Sequence, residues 1–341
     1  MLSLTFNDVY INDFDAVVGP NEKKGNIKKI KKVIDDFYYK ENTFELCQIK
    51  MQREVISSLL SSINKEDVDL IIGGDLTNQI CATTYAVNKF NISFLGVYTA
   101  CSSFVEGLII GANLISNKNA DKIINVTSSH NLVAERQFRY PIEYGALRNV
   151  NSTFTATAAV GCTMSRRKSS IKIKDATIGY PVEYGESDPN NIGAIMAPSA
   201  AEVIKNHLLN FNRDINYYDL VLTGDLGNVG LNILKDYLSL EYDIKCDNFI
   251  DAGANLYKKI SDINDGASGP AVLPLYFFYN ILSTKKYNKI LLVATGSLHS
   301  RSLVNQKEAV PGISHAISIE VRRWVYYMHL YLVGLYVYLL R

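Results

Sequence analysis

The sequence has almost no excess of charge of one sign, and this argues against one large class of partners. Its 341 residues include 35 Lys and Arg against 34 Asp and Glu, which leaves a formal net charge of +1. Without a basic excess, no overall field draws the chain toward DNA or RNA. It also lacks zinc-ligand spacing and an arginine-rich stripe, so we expect no nucleic-acid partner.

Cysteine is also scarce, and the thiols form no pattern. There are five of them, and no two make a Cys-x-x-Cys pair. An odd, scattered set argues against a disulfide framework and favours reduced thiols in a cytosol-like compartment. No cluster of ligating residues is visible, so we expect neither a metal site formed by the protein alone nor a cofactor. Four of the five are interpreted as packing residues: Cys47, Cys81, Cys162 and Cys246.

The two ends of the chain differ in character. The N-terminus has neither the basic start nor the continuous apolar stretch of a secretory signal, so we expect none. Residues 324–340, in contrast, are almost entirely apolar or aromatic. This tail, counted here as residues 321–341, is at the short limit for a membrane span, and its tyrosines and His329 weaken that interpretation. Three interpretations stay open: a truncated span, an interfacial anchor, or a fusion or frameshift junction, which the abrupt change after Glu320 slightly favours.

Short β-branched apolar runs alternate with helical patterns, which is typical of an α/β fold with a mainly parallel sheet. Two of these runs occur twice. Residues 69–76 (DLIIGGDL) match residues 219–226 (DLVLTGDL), and residues 122–130 (KIINVTSSH) match residues 289–297 (KILLVATGS). Matched strands in the same order indicate an internal repeat. We therefore predict two homologous halves, residues 1–170 and 171–320.

Cys101 follows a strand and precedes a helical pattern that starts near Val105. It is therefore predicted to lie on a sharp turn at a helix N-terminus, where free N–H groups and the helix dipole stabilise a thiolate. Ser102 and Ser103 could cap that helix. The alternative for Cys101 is a buried packing residue.

Duplicated α/β halves with a cysteine at such a turn resemble the thiolase superfamily. The resemblance implies a thiolase-like, five-layered α-β-α-β-α sandwich, usually dimeric, whose cysteine accepts an acyl group. Condensing enzymes also need bases in the second half. Residues 224–227 read Gly-Asp-Leu-Gly where a histidine would stand, although His299, His315 and Asn264 or Asp265 lie further on. Condensation is therefore disfavoured, and an acyl-transfer enzyme with Cys101 as nucleophile remains the alternative.

Longer strings resemble one family, the stage V sporulation protein AD family of spore-forming bacteria, over residues 4–320. The strings are residues 16–20, 74–79, 96–103, 127–145, 188–198, 223–227 and 311–316. The resemblance implies non-catalytic binding of dipicolinic acid (pyridine-2,6-dicarboxylate), free or as its calcium chelate, for uptake into the developing spore. It also implies membrane-protein partners of the stage V sporulation A group and a peripheral position on the cytoplasm-like side of the forespore or spore inner membrane. The superfamily implies a homodimer.

A dipicolinate site needs hydrogen-bond donors, cations and apolar walls. The candidate ligand-binding residues are Cys101, Ser128, Ser129, His130, Arg136, Arg139 and His299. The first four lie at a helix N-terminus and a strand end, the two arginines could clamp a carboxylate, and His299 lies near the expected pocket mouth.

Each candidate also has a structural alternative. His130 could be a hydrogen-bonded histidine at a strand end, and the arginines could pair with Glu135 and Glu143 on the surface. The family resemblance is also imperfect at two places near the pocket, His299 and the loop formed by residues 265–270.

Two further features have competing interpretations. Asp225 could be only a turn former, and its twin Asp75 in the first half favours that role. Residues 23–32 (KKGNIKKIKK) are the only basic run. They form either a solvated face or a contact with anionic lipid.

Overall fold

The computed structural model describes residues 1–63, 65–138, 149–245, 247–258, 260 and 263–322. The predictions for Arg139, Cys246 and the tail from residue 323 onward fall outside these ranges.

Strands and helices alternate along the described chain. The strands are β1 Leu2–Val18, β2 Lys32–Val33, β3 Leu70–Asp75, β4 Ser93–Gly96, β5 Lys122–Ser129, β6 Phe154–Thr155, β7 Ala158–Ser165, β8 Ile171–Ile178, β9 Leu220–Thr223, β10 Phe249–Asp251, β11 Ala267–Ser268, β12 Lys289–Ser297 and β13 Gly312–Val321. The helices are α1 Pro20–Lys24, α2 Phe44–Ser61, α3 Cys81–Val87, α4 Ser103–Ser116, α5 Asn131–Phe138, α6 Ile192–Asn210, α7 Gly227–Tyr242, α8 Ala252–Leu256, α9 Val272–Tyr276, α10 Leu282–Thr284 and α11 Arg301–Asn305. A π-helical turn, Phe277–Ile281, joins α9 to α10.

The two halves of the main sheet have equivalent strand orders, counted from the centre of the sheet to each edge. The order is β10-β9-β12-β13-β8-β1-β7-β5-β3-β4, with β2 beside the end of β1. Each half therefore contributes five strands to this order, the first half adds the short β2, and β1 pairs with β8 where the halves meet. Strand for strand, β3 corresponds to β9, and β5 corresponds to β12.

The sheet is mixed, so the prediction of a mainly parallel sheet was wrong for its centre. The outer strands of each half are parallel, but β7, β1, β8 and β13 run antiparallel to their neighbours. Strands β7 and β8 lie on either side of β1 and both run antiparallel to it, so the link between them crosses β1. The direction of a strand depends on the strand it pairs with, and the residues of one strand do not show its partner.

The repeated aspartates before β3 and β9 hold the neighbouring strand in the same way. Asp69 Oδ2 accepts from the backbone N–H of Asp121 at 2.7 Å and of Lys122 at 3.0 Å. Asp219 Oδ2 accepts from the N–H groups that begin β12, Asn288 at 2.7 Å and Lys289 at 3.0 Å. The two halves therefore share this aspartate–backbone hydrogen bonding as well as an equivalent strand order.

Three hydrophobic clusters define the layers. One packs α2 against the first half of the sheet, and another packs α6 and α7 against the second. The third and largest contains residues of α4 and α9 together with strands of both halves. Helix α4 contacts β1 and β5 on one side and β12 and β13 on the other, so it lies between the halves. The result is an α-β-α-β-α arrangement.

None of the described helices combines the length and the apolar character that crossing a membrane requires.

Candidate functional site

Cys101 lies on the turn between β4 and α4, as predicted, and is partly exposed. Ala100 before it has φ +52°, a left-handed conformation that a residue with a Cβ rarely adopts. The neighbouring serines hold this turn instead of capping α4, because Ser102 Oγ donates to Thr99 O at 2.7 Å and Ser103 Oγ donates to Ala100 O at 2.8 Å. The turn therefore presents the thiol in a fixed position.

The second half of the chain packs directly onto this turn. Gly296 near the end of β12 lies so close to Thr99 that a Cβ there would be 2.5 Å from the Thr99 carbonyl oxygen. Only glycine permits this approach. The site is therefore built from both halves.

Asp225 is buried and interacts with Cys101 through its side chain. Its carboxylate accepts hydrogen bonds from the Cys101 thiol, from Thr295 Oγ1 at 2.8 Å and from Gly269 N at 3.2 Å. Burial raises the pKa of Asp225 to about 7, although these donors favour its charged form. Gly269 has φ +121°, a conformation open to glycine, and it directs its N–H at the carboxylate.

The twin aspartates have different surroundings in the folded chain. Asp75 closes its own turn, since it accepts from Thr77 N and Thr83 N at 2.7 Å each. In the second half it is Asp251 that closes the corresponding turn, since it accepts from Leu226 N and Gly227 N at 3.1 Å each. Asp225 is therefore left to face Cys101, which the turn-former interpretation did not anticipate.

Cys101 opens into a small cavity of about 60 Å³. Its walls are mostly apolar, with hydroxyl groups, the thiol and one imidazole among them. The lining residues are Leu76, Ala100, Cys101, Ala134, Phe138, Thr155, Pro189, Ile192, Ser268, Ser297 and His299. Thr155 and Ser268 are brought together by the short parallel pair β6–β11, which again joins the two halves.

Ser297 stands out among the lining residues. It is 8% exposed, and its Oγ has no hydrogen-bond partner among the described residues. A buried hydroxyl without a partner costs about 1–3 kcal/mol. Sequence reasoning missed Ser297, although a signal existed: in the repeat it is the counterpart of His130, which was a candidate.

His299, one of the predicted residues, lies at the cavity beside Phe138. The two ring centroids are 5.5 Å apart and the ring planes differ by 31°. Of the predicted ligand residues that the structure describes, Cys101 and His299 line the cavity.

The predicted serines at the end of β5 point elsewhere. Ser128 faces α2, where Gln48 Nε2 donates to its Oγ at 3.0 Å. Ser129 donates to Ala156 O at 2.7 Å. Both are fully buried, and neither lines the cavity. Successive residues of a strand alternate between the two faces of the sheet, so one strand end cannot send all its side chains to one site.

His130 is buried in an aromatic environment away from Cys101. Its Nε2 lies 2.9 Å from Phe37 O, and its ring stacks on Phe44 with centroids 5.4 Å apart. Burial lowers its pKa to about 4, so the ring is neutral at physiological pH. His130 therefore fits the structural alternative, a hydrogen-bonded histidine at a strand end.

Arg136 lies on the surface and is not part of the cavity lining. It is partly exposed, with Nη1 3.9 Å from Glu45 Oε1 and the guanidinium 5.1 Å from the centre of the Phe44 ring. Asp265, one of the second-half residues named in connection with a catalytic base, accepts from Val229 N at 2.8 Å at the start of α7.

The described residues that line the cavity include no lysine and no arginine. Nor do the described parts of the chain contain a cluster of His, Cys, Asp and Glu suited to a metal ion. The cavity offers neutral hydrogen-bonding groups and apolar walls, with the carboxylate of Asp225 behind the thiol.

A duplicated mixed sheet within a five-layered α-β-α-β-α arrangement, with a cysteine turn where the halves meet, defines a thiolase-like fold. Solved structures of other proteins share this fold. The 3-oxoacyl-[acyl-carrier-protein] synthase III of Aquifex aeolicus VF5 has a TM-score of 0.54 and 15% identity, covering 93% of this chain and 98% of that one. A single-residue variant of OleA from Xanthomonas campestris has a TM-score of 0.60 and 12% identity, covering 93% of this chain and 99% of that one. The predicted fold class is confirmed.

The chain belongs to the stage V sporulation protein AD (SpoVAD) family. The sequence model of that family matches residues 3–320. Stage V sporulation protein AD of Bacillus subtilis (strain 168) is 33% identical over 318 residues, which cover 92% of this chain and 94% of that protein. The predicted family is therefore confirmed, and with it membership in a family of sporulation proteins.

Proposed function

We propose that this chain binds dipicolinic acid without transforming it, in the cavity beside Cys101, and so serves its uptake into the developing spore. The observation that carries the proposal is the buried Ser297 hydroxyl, which faces the cavity and has no described partner. A ligand carboxylate would accept its hydrogen. The apolar walls suit the faces of a flat ring, and Thr155 and Ser268 offer further hydroxyls.

The charge of the cavity favours the calcium chelate of dipicolinate over the free dianion. No lysine or arginine is present among the described lining residues to balance two carboxylates, and an unpaired buried charge is costly. The chelate is neutral as a whole, because calcium brings the missing positive charge with the ligand.

The mouth of the cavity must widen to admit such a ligand. At about 60 Å³ the cavity is much smaller than ordinary small-molecule sites, which begin near 300 Å³. The paired rings of Phe138 and His299 form part of its lining, and their rotation would enlarge it. We therefore expect binding to separate these two rings.

Calorimetric titration with dipicolinate, with and without calcium, tests this function. We expect binding in both cases and roughly tenfold tighter binding of the chelate, which corresponds to about 1.4 kcal/mol. Benzene-1,3-dicarboxylate is the matched control ligand, since it has the same shape but lacks the ring nitrogen that chelates calcium. Absence of heat with dipicolinate under both conditions would overturn the proposal.

A second candidate function is acyl transfer through Cys101. It is favoured by one observation, namely that Cys101 and His299 line the same cavity. The contact between the thiol and the Asp225 carboxylate opposes it, because a thiolate beside a carboxylate is disfavoured by repulsion. Trapping of an acyl group on Cys101 from a thioester donor would favour the enzyme.

We also place the chain on the cytoplasm-like side of the forespore or spore inner membrane, held peripherally with other stage V sporulation A membrane proteins. Membership in the family supports this placement. Co-purification of the chain with those partners from forespore membranes, and its release from the membrane when they are absent, would test it.

A homodimer is proposed through the free edge of the sheet at β4. This strand is paired only with β3 among the described residues, and Leu95 and the nearby Tyr85 and Tyr98 are 41%, 58% and 48% exposed. Two such edges can pair across a twofold axis and bury these side chains.

The variant Leu95→Glu is expected to convert a dimer into a monomer, because it places two carboxylates in the new interface. Light scattering after gel filtration measures the mass. Leu240→Glu is the matched control, since Leu240 is 82% exposed on α7 and should leave the dimer intact. A Leu95→Glu protein that remains dimeric would place the interface elsewhere.

A further inference from the structure

The basic run that begins after Glu22 forms one exposed surface. Residues 23–32 include six lysines, and no acidic residue occurs between Lys23 and Ile34. Lys32 is paired with Asp15 at 3.1 Å. The other five are exposed: Lys23, Lys24, Lys28, Lys29 and Lys31.

The fold adds a sixth lysine from a distant part of the sequence. Asn26 N donates to Leu256 O at 2.6 Å, and Lys28 N donates to Asn280 Oδ1 at 3.1 Å. These bonds hold the run beside the end of α8, where Lys258 is exposed. We call the surface formed by Lys258 and the five exposed lysines of the run the lysine face.

The side chains of the lysine face form no ion pair within the described parts of the chain. The half-buried Ile27 and Ile30 between them pack on the central core, so the backbone of the run is anchored while its charges point outward. Six like charges repel one another when gathered on one surface. In a chain whose net charge is only +1, this concentration calls for an external anionic partner.

We propose that the lysine face docks on an anionic lipid bilayer. Juxtaposed lysines near an anionic membrane surface each strengthen attachment several-fold. The run has no arginine for bidentate contacts with nucleic-acid phosphates. It also has no aromatic residue between Lys23 and Lys32 on which bases could stack. Flexible, hydrated lysine side chains suit a fluid layer of headgroups.

The lysine face is joined to the cavity wall through Glu22. Its Oε1 accepts from Thr157 N at 3.0 Å and from the Tyr257 hydroxyl, so α1 is tied to both halves. Thr157 is two residues from Thr155 in the cavity lining, a separation of roughly 7 Å along an extended chain. A bilayer bound at the lysine face would therefore lie near the dipicolinate site proposed above.

Vesicle co-sedimentation of the full chain tests the docking, and it needs no dipicolinate, so its outcome is independent of the proposed ligand. The measured quantity is the ratio of partitioning on phosphatidylcholine–phosphatidylglycerol vesicles to that on phosphatidylcholine vesicles. The apolar tail is the same in all variants. The triple variant Lys24→Glu, Lys28→Glu and Lys31→Glu is expected to lower this ratio roughly 100-fold, and high salt should lower it for the unmodified chain.

The matched control is the triple variant Lys65→Glu, Lys89→Glu and Lys235→Glu, whose lysines are also exposed. It makes the same change in net charge and should retain most of the ratio. Circular dichroism establishes that both variants fold. The proposal is overturned if the unmodified chain does not prefer anionic vesicles, or if the two triple variants lose the preference equally.

Discussion

Replacing Ser297 by alanine is expected to weaken dipicolinate binding roughly 10- to 100-fold while stabilising the free protein by about 1 kcal/mol. Both effects have one cause. The hydroxyl is buried without a described partner, so its removal relieves a desolvation cost in the free protein. The bound carboxylate loses a charge-assisted hydrogen bond, which is among the stronger kinds.

Because affinity is expected to fall while stability rises, the experiment distinguishes a ligand-binding serine from a structural one. Titration calorimetry measures the affinity, and chemical denaturation measures the free energy of unfolding. A serine whose role was purely structural would lose stability on truncation and keep its affinity.

Ser129→Ala is the matched control for Ser297→Ala. Ser129 is also buried and lies in the corresponding strand, but its hydroxyl donates to Ala156 O at 2.7 Å. We expect this variant to lose about 1 kcal/mol of stability and to bind dipicolinate almost normally. If Ser129→Ala abolished binding and Ser297→Ala did not, the ligand would lie at the β5 end, as the sequence first suggested.

Replacing Asp225 by asparagine is expected to accelerate alkylation of Cys101 roughly 10- to 100-fold at a pH above 7. The thiolate is the species that reacts with iodoacetamide. In the unmodified chain the thiol donates to the Asp225 carboxylate, whose pKa is about 7, so that carboxylate is ionised under these conditions. A second negative charge on sulfur is then disfavoured, and the neutral amide removes the repulsion.

Peptide mapping by mass spectrometry follows the labelling of each cysteine separately. Cys81 is exposed and serves as the internal control, since its rate should not change. Thermal melting shows whether the variant remains folded, because Thr295 and Gly269 also donate to Asp225. Slower labelling of Cys101 in Asp225→Asn would mean that the carboxylate activates the thiol, and the acyl-transfer alternative would then be favoured.

The twin aspartates Asp75 and Asp225 show which features of the site the sequence can predict. Asp75 and Asp225 stand in nearly identical strings, Gly-Gly-Asp-Leu and Thr-Gly-Asp-Leu. No local pattern separates them. Their roles differ because Asp251, which is distant in sequence, closes the second turn and leaves Asp225 free to meet Cys101.

The end of β5 shows a second limit of prediction from the sequence. The string around His130 is a strong family signature, and it indicated the family correctly. It did not predict which residues line the cavity, because a sequence motif does not show which face of the sheet each side chain occupies. Ser128 and His130 pack toward α2 and its aromatic N-terminus, while the cavity lies by Cys101.

The sequence by itself determined the α/β class, the repeat of the matched strands, the turn that carries Cys101 and the family. These properties depend on local periodicity, on turn residues and on strings of neighbouring residues, all of which can be read along the chain. The tertiary structure decided which side chains meet. Four features depend on distant segments: the contact of Asp225 with Cys101, the Ser297 hydroxyl with no partner among the described residues, the position of His130 away from the cavity, and the lysine face formed by Lys258 and the lysine run. They depend on how two half-sheets pack across α4, and that packing is set by burial of the whole core, which no local pattern encodes.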